Sequence, residues 1–183
     1  DLIIADSTLG TLLGNGTGGF EQMANLPLQF ATSPPSRFEL LKRPEAISLV
    51  VGDVNNDGLQ DVIVGGYEDL AVVLSVGAAS GKGSGFQEPR PLDGSARKLE
   101  LADLDRDGNL DLLLLTGDHL FHEDQPTSPG LDLVDFERRA EIRYGGGDGS
   151  FPLATEITAD ALYVKEMTGD DTLDLLVRDM DIL

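Results

Sequence analysis

One acidic nine-residue pattern recurs along the chain and constrains its fold more than any other feature. Residues 53–61 have the sequence DVNNDGLQD, and residues 103–111 have DLDRDGNLD. A continuous apolar run follows each copy, VIV after the first and LLLL after the second. A degenerate copy, EMTGDDTLD, occupies residues 166–174, and Asp1 with the run LII matches the end of a fourth copy. The chain is therefore built from repeats of roughly 50 to 60 residues.

A glycine-rich motif recurs out of phase with the acidic pattern. Residues 14–20 (GNGTGGF) align with residues 145–151 (GGGDGSF), and a weaker version lies at residues 81–86 (GKGSGF). Each motif predicts a turn, because glycine accepts the backbone angles that tight turns need. We expect each turn to deliver its terminal phenylalanine to the core.

The segments between these motifs have the patterns of β-strands. Apolar residues alternate at Ile47, Leu49 and Val51, and no amphipathic helical stretch of convincing length is present. Each repeat predicts a strand, the acidic loop, two further strands, the glycine turn and a fourth strand. Four antiparallel strands in a repeat of this length are typical of a β-propeller blade. The alternative architecture is an open β-solenoid or sandwich.

The repeats divide the chain into two complete blades and two partial ones. Residues 1–45 are predicted to hold strands two to four of one blade plus an insertion, and residues 46–96 a complete blade. Residues 97–158 predict a complete blade with a long insertion at about 117–141, and residues 159–183 predict strands one and two of another. We therefore expect an all-β chain whose propeller ring is incomplete. It would be either a fragment of a longer propeller or a subunit completed by neighbouring copies.

The two complete acidic loops have the spacing of a calcium-binding loop. Oxygen ligands at loop positions 1, 3, 5, 7 and 9 can surround a hard cation, with position 7 using its backbone carbonyl. The glycine after position 5 permits the sharp turn that brings these oxygens together. The predicted ligands are Asp53, Asn55, Asp57, Leu59 and Asp61 in the first loop, and Asp103, Asp105, Asp107, Asn109 and Asp111 in the second.

The acidic loops have two other possible interpretations, an EF-hand and a polar hairpin turn. An EF-hand needs a bidentate glutamate at position 12, where this chain has Val64 and Leu114. A polar hairpin turn rich in Asp and Gly is the structural alternative. A third loop has Asp171 in place of the glycine, so its cation site is left open. Its candidate ligands are Glu166, Thr168, Asp170, Thr172 and Asp174.

The acidic loops, their trailing apolar strands and the glycine turns together resemble FG-GAP/VCBS repeats, the blades of integrin-α-like β-propellers. The resemblance covers essentially the whole chain apart from two insertions. The bacterial-type VCBS variant is the closer match, because the literal Phe-Gly and Gly-Ala-Pro signatures are absent. The resemblance implies a seven-bladed ring, extracellular placement, structural calcium and a binding or adhesive role.

Both predicted insertions are expected on the face opposite the acidic loops. In an up-and-down blade successive connections alternate between two faces, and the acidic loops and glycine turns share one of them. The insertions use the other connections. They span roughly residues 21–44 and 117–141. The resemblance to integrin-like propellers makes this the ligand face, for a protein or glycan partner. The candidate contact residues are Phe30, Arg37, Phe38, His119, Phe121, His122, Arg138 and Arg139.

Composition limits the functional classes further. A formal net charge of −20 disfavours binding to nucleic acid and to anionic membranes, and the absence of cysteine excludes disulfides and thiolate zinc sites. No Gly-x-Ser-x-Gly motif is present, so a Ser–His–Asp hydrolase would lack its nucleophile. No catalytic residues are assigned, and an enzymatic role is the least supported of the functional classes. The leading hypothesis is a secreted or cell-surface calcium-binding propeller segment for adhesion or ligand recognition. The alternatives are a structural subunit of a surface assembly or fibre, and a lectin, which the absence of tryptophan disfavours.

Overall fold

The computed structural model describes residues 2–5, 8–28, 46–66, 69–77, 85–116, 139–158, 161–170 and 173–178. Within these ranges there are fifteen β-strands and no helix. All of the strand pairs are antiparallel. The predicted all-β class is therefore confirmed.

The strands form four main sheets and one small ribbon. The first sheet contains β1 (Leu2–Ala5), β2 (Thr8–Gly14) and β3 (Phe20–Pro27). The second contains β4 (Ala46–Gly52), β5 (Asp61–Gly66), β6 (Leu70–Val73) and β9 (Arg90–Leu92), and the ribbon pairs β7 (Ser75–Val76) with β8 (Gly85–Phe86). The third contains β10 (Lys98–Ala102), β11 (Asp111–Thr116), β12 (Arg139–Tyr144) and β13 (Leu153–Thr158). The fourth contains β14 (Ala161–Lys165) and β15 (Asp174–Arg178).

Each main sheet is a simple meander, in which strands follow one another in space in chain order. This is the connectivity of a propeller blade. The sheets formed by the described residues do not close into a ring, in agreement with the predicted incomplete propeller. Two strands extend into segments that the sequence assigned to insertions. Strand β3 continues to Pro27 because it pairs with β2 along its length, and β12 begins at Arg139, which pairs with Thr116 and Thr158.

Strand β5 is buried on both faces, which explains its continuous apolar run. Val62 and Val64 pack in a core with Leu9 of the first sheet. Ile63, which points to the opposite face, packs in a different core with Leu112 of the third sheet. A strand buried on both faces needs apolar residues at successive positions instead of at every second one.

Strand β11 has the same two-sided arrangement one sheet further along the chain. Leu112 and Leu114 pack in the core shared with the second sheet, whereas Leu113 packs in a core that includes Leu175 of the fourth sheet. Successive sheets therefore lie face to face with an apolar core between each pair. This stacking places the acidic loops of the second and third sheets beside one another.

The phenylalanines of the glycine turns have two different environments. Phe151 packs against the core between the second and third sheets, and Phe86 against the core between the first and second. Phe20 is 56% exposed, so the prediction that it is a core residue is wrong. The reason is its position in the stack. Phe86 and Phe151 each pack against the preceding sheet, and the described residues form no sheet before the first.

Candidate metal centre

The first acidic loop connects β4 to β5 and folds around its own carboxylates. Asp53 Oδ1 accepts a hydrogen bond from the backbone nitrogen of Asp57 at 3.1 Å, and Asp53 Oδ2 accepts one from that of Gly58 at 2.8 Å. Gly58 has φ of 85°, which lets the chain reverse at this point. Leu59 donates its backbone N–H to Asp57 Oδ1 at 2.8 Å. The loop therefore curls around the Asp53 carboxylate, as either a cation-binding loop or a polar turn rich in Asp and Gly would.

The second acidic loop connects β10 to β11 and repeats this geometry. Asp103 Oδ2 accepts a hydrogen bond from the backbone nitrogen of Gly108 at 3.1 Å, and Gly108 has φ of 91°. Asp107 Oδ1 accepts a hydrogen bond from the backbone nitrogen of Asn109 at 2.8 Å. The same local sequence thus produces the same local structure in two sheets.

Three carboxylates converge in the second loop. Asp103, Asp105 and Asp111 each place one carboxylate oxygen within 4.8 Å of the others. Asp103 Oδ1 is buried and has no hydrogen-bond partner. A buried carboxylate oxygen without a partner is costly, and adjacent carboxylates repel one another. A cation coordinated by these oxygens would remove both costs, so the residues present fit a metal ion.

The first loop does not bring three carboxylates together in this way, although all of its residues are described. Position 3 carries an amide, Asn55, whose Nδ2 donates to Asp57 Oδ2 at 2.9 Å. Both oxygens of Asp53 already accept backbone hydrogen bonds. The first loop is therefore the less preorganised of the two.

The last aspartate of the first loop has a structural role that the sequence analysis missed. Asp61 is fully buried, and its Oδ2 and Oδ1 accept hydrogen bonds from the backbone nitrogens of Val54 at 3.1 Å and Ser75 at 2.7 Å. Burial raises the pKa of the Asp61 carboxyl, the charges of Asp57 and Asp53 act in the same direction, and the two backbone hydrogen bonds oppose them. A divalent cation in the loop would favour the ionised form.

The same arrangement recurs at the ends of the other two loops. Asp111 accepts hydrogen bonds from the backbone nitrogens of Leu104 at 2.8 Å and Gly145 at 2.9 Å. Asp174 Oδ2 accepts one from Met167 at 2.8 Å, although the third loop has lost much of the ligand pattern. The signal was present in the sequence, because this aspartate is kept in every copy of the repeat, including the degenerate ones.

The third loop supplies little support for a cation site. Glu166 Oε1 accepts a hydrogen bond from the backbone nitrogen of Gly169, and Thr168 and Asp170 are exposed. Thr172 lies outside the described residues. The described carboxylates of this loop do not converge as those of the second loop do. A third cation site stays a prediction.

The glycine turn of the third sheet lies between the first two acidic loops. Gly149 donates its backbone N–H to the carbonyl of Val54 in the first loop at 2.9 Å. A side-chain hydrogen bond also joins the loops directly, from Asn56 Nδ2 to Asn109 Oδ1 at 2.7 Å. Asn56 occupies none of the predicted ligand positions, so the ligand spacing gave no signal for it.

One of the predicted ligand-face residues is described by the structure. Arg139 lies at the end of the third sheet away from the acidic loop, and one of its guanidinium nitrogens is 3.9 Å from Glu156 Oε2. The remaining candidates lie outside the described residues, and these are Phe30, Arg37, Phe38, His119, Phe121, His122 and Arg138. The ligand face stays a prediction.

A comparison with protein families finds an FG-GAP-like repeat over residues 53–114. Residues 53–114 form an FG-GAP-like repeat. The matched segment of the FG-GAP-like repeat begins at Asp53, the first candidate ligand of the first loop, and ends at Leu114 within β11. It therefore contains both complete acidic loops. Searches of curated proteins and of solved structures returned no match.

FG-GAP-like repeats are typical of β-propeller-like, extracellular or adhesion-type domains, and the family is generally non-catalytic. In the part of the chain that the structure describes, no helix has the length and apolar character required to cross a membrane.

Proposed function

We propose that this FG-GAP-like chain is a non-catalytic, extracellular calcium-binding propeller segment that serves adhesion or ligand recognition. The observation that carries the calcium assignment is the second loop. There, Asp103 has a buried carboxylate oxygen without a hydrogen-bond partner, and Asp103, Asp105 and Asp111 each place one carboxylate oxygen within 4.8 Å of the others.

Calcium is the cation that suits this donor set best. The candidate ligands are carboxylate, amide and backbone carbonyl oxygens, which hard cations prefer. Magnesium demands a near-octahedral arrangement and gives up its water reluctantly, whereas calcium tolerates the irregular geometry of a flexible loop. Asp103, Asp105 and Asp111 would hold the ion in the second loop, together with Asp107 and the Asn109 carbonyl. The ion's role there is structural, because it would offset the repulsion among the carboxylates that close the loop.

A recognition role would use the face opposite the acidic loops. Calcium would stiffen one face of the stacked sheets, and the connections on the other face would contact a protein or glycan. Arg139 is the described residue of that set, and its exposed guanidinium suits an acidic group on the partner.

A second candidate function is that of a structural subunit of an assembly. It is favoured by exposed apolar side chains at the two ends of the stack of sheets. Leu176 of the fourth sheet is 50% exposed, and Tyr163, its cross-strand neighbour, is exposed as well. Phe20 in the first sheet is an exposed apolar residue too. Further blades, from the same polypeptide or from neighbouring subunits, would cover these residues. Sedimentation measurements with and without a chelator distinguish a monomer from an assembly.

Calorimetric titration of the chelator-treated chain with calcium tests the metal assignment. We expect heat of binding for two sites, weaker binding of magnesium, and a weakened second-loop site in Asp105→Asn. Glu156→Gln, which removes the same charge from an exposed position on β13, is the matched control and should bind like the wild type.

Thermal unfolding supplies an independent measurement. A ligand at a hundredfold excess over its dissociation constant stabilises the folded state by about 2.7 kcal/mol per site. Chelation should therefore lower the melting temperature, and Asp107→Ala should do so as well. An unchanged melting temperature in both cases, with no heat of calcium binding, would rule out the calcium function.

A further inference from the structure

We propose that Asn56 and Asn109 couple the two acidic loops, so that a cation bound in the first loop raises the affinity of the second for its own cation. This inference rests on the proposed calcium function, and it adds two positioning side chains that do not themselves bind the ions.

The direct contact between the loops is a hydrogen bond between two side-chain amides. Asn56 Nδ2 lies 2.7 Å from Asn109 Oδ1, although the two residues are 53 positions apart in the chain. Asn56 has φ of 58° and lies between two candidate ligands, Asn55 and Asp57. The position of its side chain therefore depends on the conformation of the first loop.

Asn109 carries this contact to the ligands of the second loop. Its backbone nitrogen donates to Asp107 Oδ1 and its side-chain Nδ2 donates to Asp107 Oδ2, each at 2.8 Å. Both oxygens of a candidate ligand are thus oriented by one residue. The backbone carbonyl of Asn109 is itself a candidate ligand. Asn56, by holding the Asn109 side chain, restrains two of the five candidate ligand positions in the second loop.

The glycine turn of the third sheet also packs against the Asn56 and Asn109 side chains and restricts their movement. A Cβ atom added at Gly147 would lie 2.5 Å from Asn109 Oδ1 and 3.1 Å from Asn56 Nδ2. The backbone of the turn therefore packs directly against the bond between the two amides. The turn is anchored on both loops, through Gly149 to Val54 and through Gly145 to Asp111.

The sign of the coupling follows from conformational entropy. A cation in the first loop would fix Asn55 and Asp57, and with them Asn56 between these residues. Asn109 would then be restrained before the second cation arrives, so less ordering would remain to oppose the second binding event. Electrostatic repulsion between the two cations has the opposite sign, but it does not depend on the Asn56 amide. Replacement of that amide therefore isolates the hydrogen-bonded contribution.

The first test measures coupling by removing one site at a time from the full chain. Calcium is titrated calorimetrically into wild type, Asp53→Ala and Asp103→Ala after chelator treatment. In Asp53→Ala, we expect the calcium affinity of the second loop to be lower by about fivefold or more than in wild type with the first loop filled. Because linkage is reciprocal, Asp103→Ala should weaken the first loop by the same factor.

The second test assigns the coupling to the two amides. Asn56→Gly removes the side chain, while glycine accepts a φ of 58° without strain. In this variant the favourable coupling should disappear, and adding Asn109→Ala should reduce the coupling no further. Arg106→Gly is the matched control, because Arg106 holds the same position in the second loop at φ of 63°. It should retain the wild-type coupling.

The outcomes separate this inference from the function on which it rests. An absence of calcium binding in wild type would overturn the proposed function. Two bound calcium ions with the same second-loop affinity in wild type and Asp53→Ala would overturn the coupling and leave the calcium function standing. Coupling that survives in Asn56→Gly would overturn the role of the two asparagines.

Discussion

Asp111 Oδ1 accepts a hydrogen bond from the backbone nitrogen of Gly145 at 2.9 Å, which joins the end of an acidic loop to the start of a glycine turn. The equivalent bond in the second sheet joins Asp61 to Ser75 at 2.7 Å. The other oxygen of each carboxylate caps the backbone of its own loop. These aspartates therefore support the sheets whether or not a cation is bound.

We expect Asp111→Ala to lower the free energy of unfolding by about 3 kcal/mol even in excess chelator. The substitution leaves the backbone nitrogens of Leu104 and Gly145 without their acceptor in a largely buried site. Urea unfolding measures this effect. Asp107→Ala, at an exposed position of the same loop, should cost less than about 1 kcal/mol under chelation. Equal losses in the two variants would contradict the structural role of Asp111.

Gly145→Ala should destabilise the chain because of the close approach of two backbone segments. The added Cβ would lie 2.2 Å from the carbonyl oxygen of Leu110, so one of the two segments must move. Such overpacking costs about 1–3 kcal/mol. Gly77→Ala is the control, since its Cβ would meet only a Leu59 methyl at 3.6 Å. Chemical denaturation that shows no difference between the two variants would argue against the close approach.

Leu113→Ala should cost about 2–5 kcal/mol, because Leu113 is buried between the third and fourth sheets. Leu112→Ala should cost a similar amount, since Leu112 fills the core on the other face of β11. Leu176→Ala, at a half-exposed position of β15, should cost less than about 1 kcal/mol. Thermal or urea unfolding measures all three. Tolerance of alanine at either Leu112 or Leu113 would contradict two-sided burial of this strand.

Ser150→Ala should raise the pKa of Asp148 toward its ordinary value. The Ser150 hydroxyl and the Ser150 backbone nitrogen, which lies 2.9 Å from Asp148 Oδ1, hold the pKa of that carboxyl below its usual range. A lowered folded-state pKa stabilises the fold fully above the unfolded value of about 4, and the effect is lost as the pH falls through the folded value. The variant should therefore be less stable than wild type at neutral pH and equally stable in strong acid.

Carbon-13 NMR titration of the Asp148 carboxyl reports its pKa directly, and urea unfolding across the acid range reports the stability difference. Gly77→Ala, which lies away from this carboxyl in the chain, serves again as the control. An Asp148 pKa that does not change in Ser150→Ala would show that the hydroxyl has no part in lowering it.

Local features of this fold could be predicted from the sequence, and contacts between sheets could not. The acidic loops were visible because the spacing from Asp103 to Asp111 and the glycine at 108 encode a short-range turn. The apolar runs after them were visible because burial on both faces removes alternation. The bond from Asn56 to Asn109 depends on how two sheets dock, and no local pattern encodes that. The exposure of Phe20 likewise depends on what neighbours its sheet.

The continuous apolar run of β5 does not by itself fix the register of this strand against its neighbours. In a strand with one buried face, a slip of one residue would turn every apolar side chain to solvent. In β5 the same slip would exchange Ile63 for one of its valine neighbours and bring Asp61 or Gly65 to one end of the run, and each core would still receive an aliphatic side chain. Asp61 does not share this tolerance, since a shifted strand would move its carboxylate away from Val54 and Ser75. One carboxylate at the start of the strand therefore selects the alignment that the apolar residues leave open.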